Sequence, residues 1–76
     1  MYKILIVEDD ETIAGGLKNH LEKWNYQAEC MTDFKDVMGK FVEFEPQLVL
    51  LDIVLPFFNG FHWCQEIRKI SKVPII

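Results

Sequence analysis

Two short apolar runs constrain this chain more than anything else in it. Ile4-Leu5-Ile6-Val7 stops abruptly at Glu8-Asp9-Asp10, and Leu48-Val49-Leu50-Leu51 stops at Asp52. Four apolar residues in a row, without polar alternation, suit a strand buried on both faces, as in a parallel sheet covered by helices. Each run therefore predicts a strand, the later one over Leu48 to Ile53, and each strand delivers carboxylates at its carboxyl end.

Between the runs the hydrophobic period becomes helical. Ile13, Leu17, Leu21 and Trp24 form one stripe, with Lys18, Glu22 and Lys23 mostly away from it, and Asp9 or Asp10 stands where a helix cap belongs. Gly15-Gly16 falls inside this helix, where each glycine costs about 1 kcal/mol relative to alanine. Close packing against the sheet is the expected reason. Asn25 ends the helix, and Tyr26 to Met31 reads as a more polar edge strand. Thr32 or Asp33 then caps a second helix carrying Phe34, Val37, Met38, Phe41 and Phe44 on one side, which Pro46 stops. After Asp52, Asn59-Gly60 makes a turn, and Phe61, Cys64, Ile67 and Ile70 or Ser71 trace a third helix to about Lys72.

Val73-Pro74-Ile75-Ile76 begins a fourth apolar run. The expected fold class is thus α/β, a doubly wound parallel sheet in the order β-α-β-α-β-α-β, truncated at the start of strand four. A chain of 76 residues holds one core at most, and because its last apolar run is cut off at the second or third residue, residues 1–76 are expected to be the N-terminal part of one larger α/β domain. The strand three edge and the stub beside it would be apolar and open, which predicts a homodimer or a domain-swapped dimer of the fragment.

Composition excludes several function classes. A net charge of −4, with eight scattered Lys and Arg, argues against a nucleic-acid surface on this segment, so DNA contact would require another domain. Cys30 and Cys64 have no partner at zinc-ligand spacing and read as reduced, half-buried thiols. His20 and His62 read as surface residues. No apolar window approaches the roughly 20 residues of a membrane span, and no signal peptide is visible, so no membrane contact and a cytoplasmic location are expected.

The acids carry the chemistry. Open α/β sheets bind ligands beyond the carboxyl ends of their strands, and if strands one and three are neighbours, Glu8, Asp9 and Asp52 converge there. Three like charges repel unless a cation holds them, and an all-oxygen ligand set suits Mg²⁺ or Mn²⁺. Beside such a metal an ionised aspartate can act as a nucleophile and form an acyl phosphate. Taken singly, the same residues could serve only as helix caps and strand ends.

"KILIVEDD" at Lys3 to Asp10, "LVLLDIVLP" at Leu48 to Pro56, Gly60, and the separation between the acidic pair and the lone aspartate together resemble the receiver domain of bacterial two-component response regulators. The resemblance implies a flavodoxin-like receiver fold, with residues 1–76 as a partial receiver domain. It implies that Asp52 is the phosphoacceptor, served by a sensor histidine kinase, and that Mg²⁺ is held by Glu8, Asp9, Asp52 and the backbone carbonyl of Val54. Pro56 and Gly60 match positions that shape the loop after strand three. The family's switch hydroxyl, its phosphate-pairing lysine and its output face would all lie beyond Ile76. The sequence is most similar to regulators whose receiver precedes a winged-helix DNA-binding domain, including the group answering envelope stress and antimicrobial peptides. Such a protein is not an enzyme but a phospho-accepting regulator that takes part in its own phosphotransfer, and it controls transcription through that second domain.

The competing reading is a Mg²⁺-dependent phosphatase or phosphotransferase with an aspartate nucleophile. Such enzymes place a second Asp two residues on, where Val54 stands. A nucleotide-binding domain would need a glycine-rich loop after strand one, and Glu8-Asp9-Asp10 occupies that place. Phe57 and Phe58 read either as a kinase-docking surface or as local packing against Phe61 and Trp63.

Overall fold

The computed structural model describes residues 1–76. Three strands alternate with three helices: β1 (Lys3–Val7), α1 (Glu11–Lys23), β2 (Gln27–Cys30), α2 (Val37–Phe44), β3 (Leu48–Leu51) and α3 (Gly60–Arg68). The strands form one parallel sheet in the order β2-β1-β3. β1 is central, which explains its unbroken apolar run: Ile4 to Val7 are all buried.

Side chains alternate across β1 and divide the core in two. Leu5 and Val7 join Met31, Val37, Phe41, Phe44, Val49, Trp63 and Ile67 beneath α2 and α3. Ile6 points the other way, to Ala14 and Ala28 beneath α1. Helices therefore cover both faces, as the doubly wound reading requires. Beyond β3, Ile75 makes a parallel bridge to Val49.

Several local expectations need correction. On α1 the buried residue is Ala14, while Ile13, Leu17 and Trp24 are exposed. The helix rests on the small Ala28, and a small side chain at the contact lets it come close, leaving the bulkier residues on its flanks. Close packing does not explain Gly15 and Gly16, because a Cβ at either would meet nothing within 4 Å.

The cap of α2 is Asp36, whose carboxylate accepts from the Gly39 N–H at 3.0 Å. Asp33 instead closes a turn one step earlier, accepting from the Lys35 N–H. α3 ends at Arg68 and buries Gly60, Trp63 and Ile67, with Phe61 and Ile70 exposed. β3 stops at Leu51, so Asp52 is the first residue past the strand.

Candidate functional site at the carboxyl end of the sheet

Register decides which acids meet. Val7 pairs with Leu51, and the Asp52 N–H still donates to the Val7 carbonyl at 3.0 Å, so the chains carrying Glu8 and Asp52 leave the sheet side by side. Asp10 is committed elsewhere: it caps α1, its carboxylate accepting from the N–H groups of Thr12 and Ile13. This cap turns the chain at Asp9 and leaves that carboxylate free. Glu8, Asp9 and Asp52 each offer an oxygen, and the three oxygens lie within 4.8 Å of one another.

None of the three carboxylates belongs to any of the ion pairs in the fold, which join Lys40 to Glu29 and Glu43, and Lys69 to Glu66. The cluster's negative charge is left unneutralised by the chain. Glu8 registers the strain. The Asp10 N–H donates to its Oε1 at 3.0 Å and pulls its pKa down, but partial burial and the adjacent Asp52 and Asp9 carboxylates together outweigh that bond and raise it.

Such a donor set fits a hard cation. It is all oxygen, it carries up to three negative charges, and no His or Cys belongs to it. Val54 lies two residues beyond Asp52 on an exposed bend, and its carbonyl accepts no hydrogen bond from the chain. That carbonyl is available as a further oxygen donor.

The loop from β3 into α3 is tightly built. The Gly60 N–H donates to the Ile53 carbonyl at 2.8 Å, and a Cβ at position 60 would lie 2.2 Å from the Asp52 carbonyl oxygen. Glycine is required because the helix start presses directly on the backbone of Asp52. Asn59 caps α3 by accepting from the His62 N–H.

Phe57 and Phe58 separate in role. The Phe58 ring stacks on His62 at 4.4 Å and meets Trp63 edge-on at 5.5 Å. Phe58 thus packs locally on His62 and Trp63 while keeping part of its surface exposed. Phe57 is exposed, has φ of 67°, and sits at the centre of a tight turn in which the Phe58 N–H donates to the Pro56 carbonyl. Its ring carries the Lys35 ammonium at 4.8 Å. The sequence offered no signal for that contact, since Lys35 lies 22 positions away in a different loop. His62 is half-buried in the Phe58 stack rather than a free surface residue.

The family model for the response regulator receiver domain matches residues 4–76. A transcriptional regulatory protein of Bacillus subtilis, YvcP, is 54% identical over 76 residues, which are all of this chain and 32% of that protein. The chain thus spans about a third of the length of this curated relative. The N-terminal domain of NsrR, a lantibiotic response regulator for nisin resistance, superposes with a TM-score of 0.91 at 47% identity, covering 99% of this chain and 63% of that one. The Thermotoga maritima response regulator TrrA, solved with Mg²⁺–BeF, gives 0.86 at 33% identity over 95% of this chain and 63% of its own. TrrA has also been solved in complex with the histidine kinase ThkA.

Proposed function

The chain belongs to the family of response regulator receiver domains, and on that premise we propose that Asp52 is its phosphoacceptor and that Glu8, Asp9, Asp52 and the Val54 carbonyl hold Mg²⁺. The observation that carries this reading is the meeting of three unneutralised carboxylates, within 4.8 Å, at the carboxyl end of a parallel sheet. When bound, the cation offsets that charge and draws electron density from the phosphoryl oxygens.

The chain's own residues do the rest. The Asp52 backbone is pinned on one side by its hydrogen bond to Val7 and on the other by contact with Gly60, so the carboxylate is presented from a rigid base. One of its oxygens attacks the donor phosphorus. An O–P bond forms as the P–N bond of a kinase phosphohistidine breaks, and the departing imidazole keeps the bonding pair. Asp10, locked as a helix cap, takes no part. Val54 has an apolar side chain where an aspartate-based phosphatase needs an acid or base, which favours a stable phosphoryl group over turnover.

On this reading the partner is a sensor histidine kinase, and the output is transcription, exerted through a DNA-binding domain outside these residues. A cytoplasmic location fits this role, and no helix of the fold is long and apolar enough to cross a membrane. The test is to incubate the protein with acetyl phosphate and Mg²⁺ and follow its mass. A single hydroxylamine-labile phosphoryl addition is expected, lost in Asp52→Ala and kept in Asp10→Ala. An addition that survives Asp52→Ala overturns the assignment.

A further inference from the structure

Three residues other than glycine take a left-handed backbone, and two of them have an ordinary reason: Asn25 follows the end of α1, and Glu45 caps α2. Phe57 ends no helix. The Phe58 N–H donates across it to the Pro56 carbonyl at 2.8 Å, and with φ of 67° this is the rare and strained form of the three-residue turn. A bulky residue keeps such a conformation only where its surroundings fix it, and such places cluster at functional sites.

Three side chains fix this one. Leu55 packs against the core beneath α2 and α3, and Phe58 stacks on His62. The third is the Phe57 ring itself, which meets the Lys35 ammonium at 4.8 Å. Lys35 is firmly based: its N–H donates to the Asp33 carboxylate at 3.0 Å, the Asp36 N–H donates to the Asp33 carbonyl at 3.2 Å, and Asp36 then caps α2. No carboxylate of the fold pairs with its ammonium, so the aromatic face is what it engages. The two loops lie between β2 and α2 and between β3 and α3, so every element flanking the contact belongs to the fold described above.

The loop held in this way carries the Val54 carbonyl. Val54 makes no backbone hydrogen bond of its own. Its place is set from two sides, by the Gly60 N–H on the Ile53 carbonyl at 2.8 Å and by the turn that starts at Pro56. The first side is rigid because Gly60 presses on Asp52. The second is only as rigid as the hold on Phe57.

We propose that Lys35 and Phe57 are positioning residues of the site: the ammonium clamps the ring, the ring holds the strained turn, and the turn aims the Val54 carbonyl at the cation. This rests on the reading that Glu8, Asp9, Asp52 and Val54 hold Mg²⁺. Neither side chain serves as a ligand. Two effects of Lys35 have opposite signs. As a charge, an ammonium in the neighbouring loop repels Mg²⁺, and its removal should tighten binding. As a clamp, its removal frees the turn and should loosen binding. The sign of the change separates positioning from electrostatics.

Calorimetric titration of the full-length protein with Mg²⁺ reads that sign. Lys35→Met replaces an exposed side chain with an uncharged one of similar length, and is expected to weaken Mg²⁺ binding about two- to fivefold, the effect an exposed cation–π contact can transmit. Lys35→Arg keeps the parent's affinity. Phe57→Gly weakens binding to the same extent without lowering the unfolding midpoint, and Phe57→Tyr does not weaken it. The double variant Lys35→Met, Phe57→Gly is no weaker than Phe57→Gly alone, since both residues act through one contact. In chelator, amide exchange at Phe58, whose N–H closes the turn, speeds up in Lys35→Met and in Phe57→Gly. Unchanged or tighter Mg²⁺ binding in Lys35→Met, additive losses in the double variant, or Phe58 exchange that ignores both substitutions would each overturn the proposal. Asp9→Asn separates it from the underlying reading. If Asp9→Asn abolishes Mg²⁺ binding while Lys35→Met leaves it intact, the clamp alone fails; if Asp9→Asn leaves binding intact, the metal site itself falls and takes the clamp with it.

Discussion

Val7 and Leu51 are parallel partners in the β1–β3 ladder, and that one pairing sets Glu8 beside Asp52. Side chains alternate along a strand, so a slip of one residue would send the buried set of β3 to the opposite face and carry Asp52 away from Glu8. The site is therefore specified by the same apolar residues that build the core.

Glu8 gives the cluster a pH signature. Its raised pKa means that the folded chain keeps this proton to a higher pH than the unfolded chain does. The folded state then binds more protons in that window, so stability falls as pH rises from the ordinary carboxylate range, about pH 4, and stays lower above it. In chelator at pH 7, Glu8→Gln should unfold at a higher urea concentration than the parent, with the difference closing at acid pH. Added Mg²⁺ should raise the parent's midpoint and not the variant's, because only the parent keeps the full ligand set.

The glycines should answer substitution with opposite signs. A Cβ at Gly15 or Gly16 meets nothing within 4 Å in the middle of α1, so Gly15→Ala should stabilise the chain by about 0.5–1 kcal/mol. At Gly60 the added carbon would lie 2.2 Å from the Asp52 carbonyl oxygen, and Gly60→Ala should destabilise the fold and displace Asp52 together with it. Urea titrations of the two variants provide the comparison.

Adjacent phenylalanines should also diverge. Phe58 has two aromatic neighbours, each contact worth about 0.5–1.5 kcal/mol, so Phe58→Ala should cost on the order of 1–3 kcal/mol. Phe57 holds a left-handed backbone that a non-glycine residue adopts at about 1–2 kcal/mol. Phe57→Gly relieves that strain and loses only the exposed Lys35 contact, worth about 0.5–1 kcal/mol. Thermal unfolding should show Phe57→Gly no less stable than the parent, and Phe58→Ala clearly less so.

The strands and the acids were legible because they rest on composition within four-residue runs. Ile4 to Val7 and Leu48 to Leu51 allow one reading, and Glu8, Asp9 and Asp52 follow from where those runs stop. What misled was size. Ile13 and Leu17 look like the core stripe of α1, but Ala14 makes the close contact because Ala28 below it is small. On α3, the expected stripe of Phe61, Cys64, Ile67 and Ile70 is right at Ile67, which is buried, but Phe61 and Ile70 are exposed and Trp63 faces the core instead, because Gly60 must press on Asp52. Thr32 and Asp33 had the chemistry of a cap, and Asp36 had it too; only the turn between them decides. The Lys35–Phe57 contact depends on how two loops fold toward each other, which no local pattern encodes.

The central claim is that Asp52, and no other acid of the cluster, takes the phosphoryl group. Borohydride reduces an aspartyl phosphate to homoserine, and peptide sequencing by mass spectrometry then reads the position directly. After treatment with acetyl phosphate and Mg²⁺, homoserine is predicted at position 52 alone, and nowhere when the metal is chelated. Homoserine at position 9 or 10, or its appearance at 52 irrespective of Mg²⁺, would contradict the account.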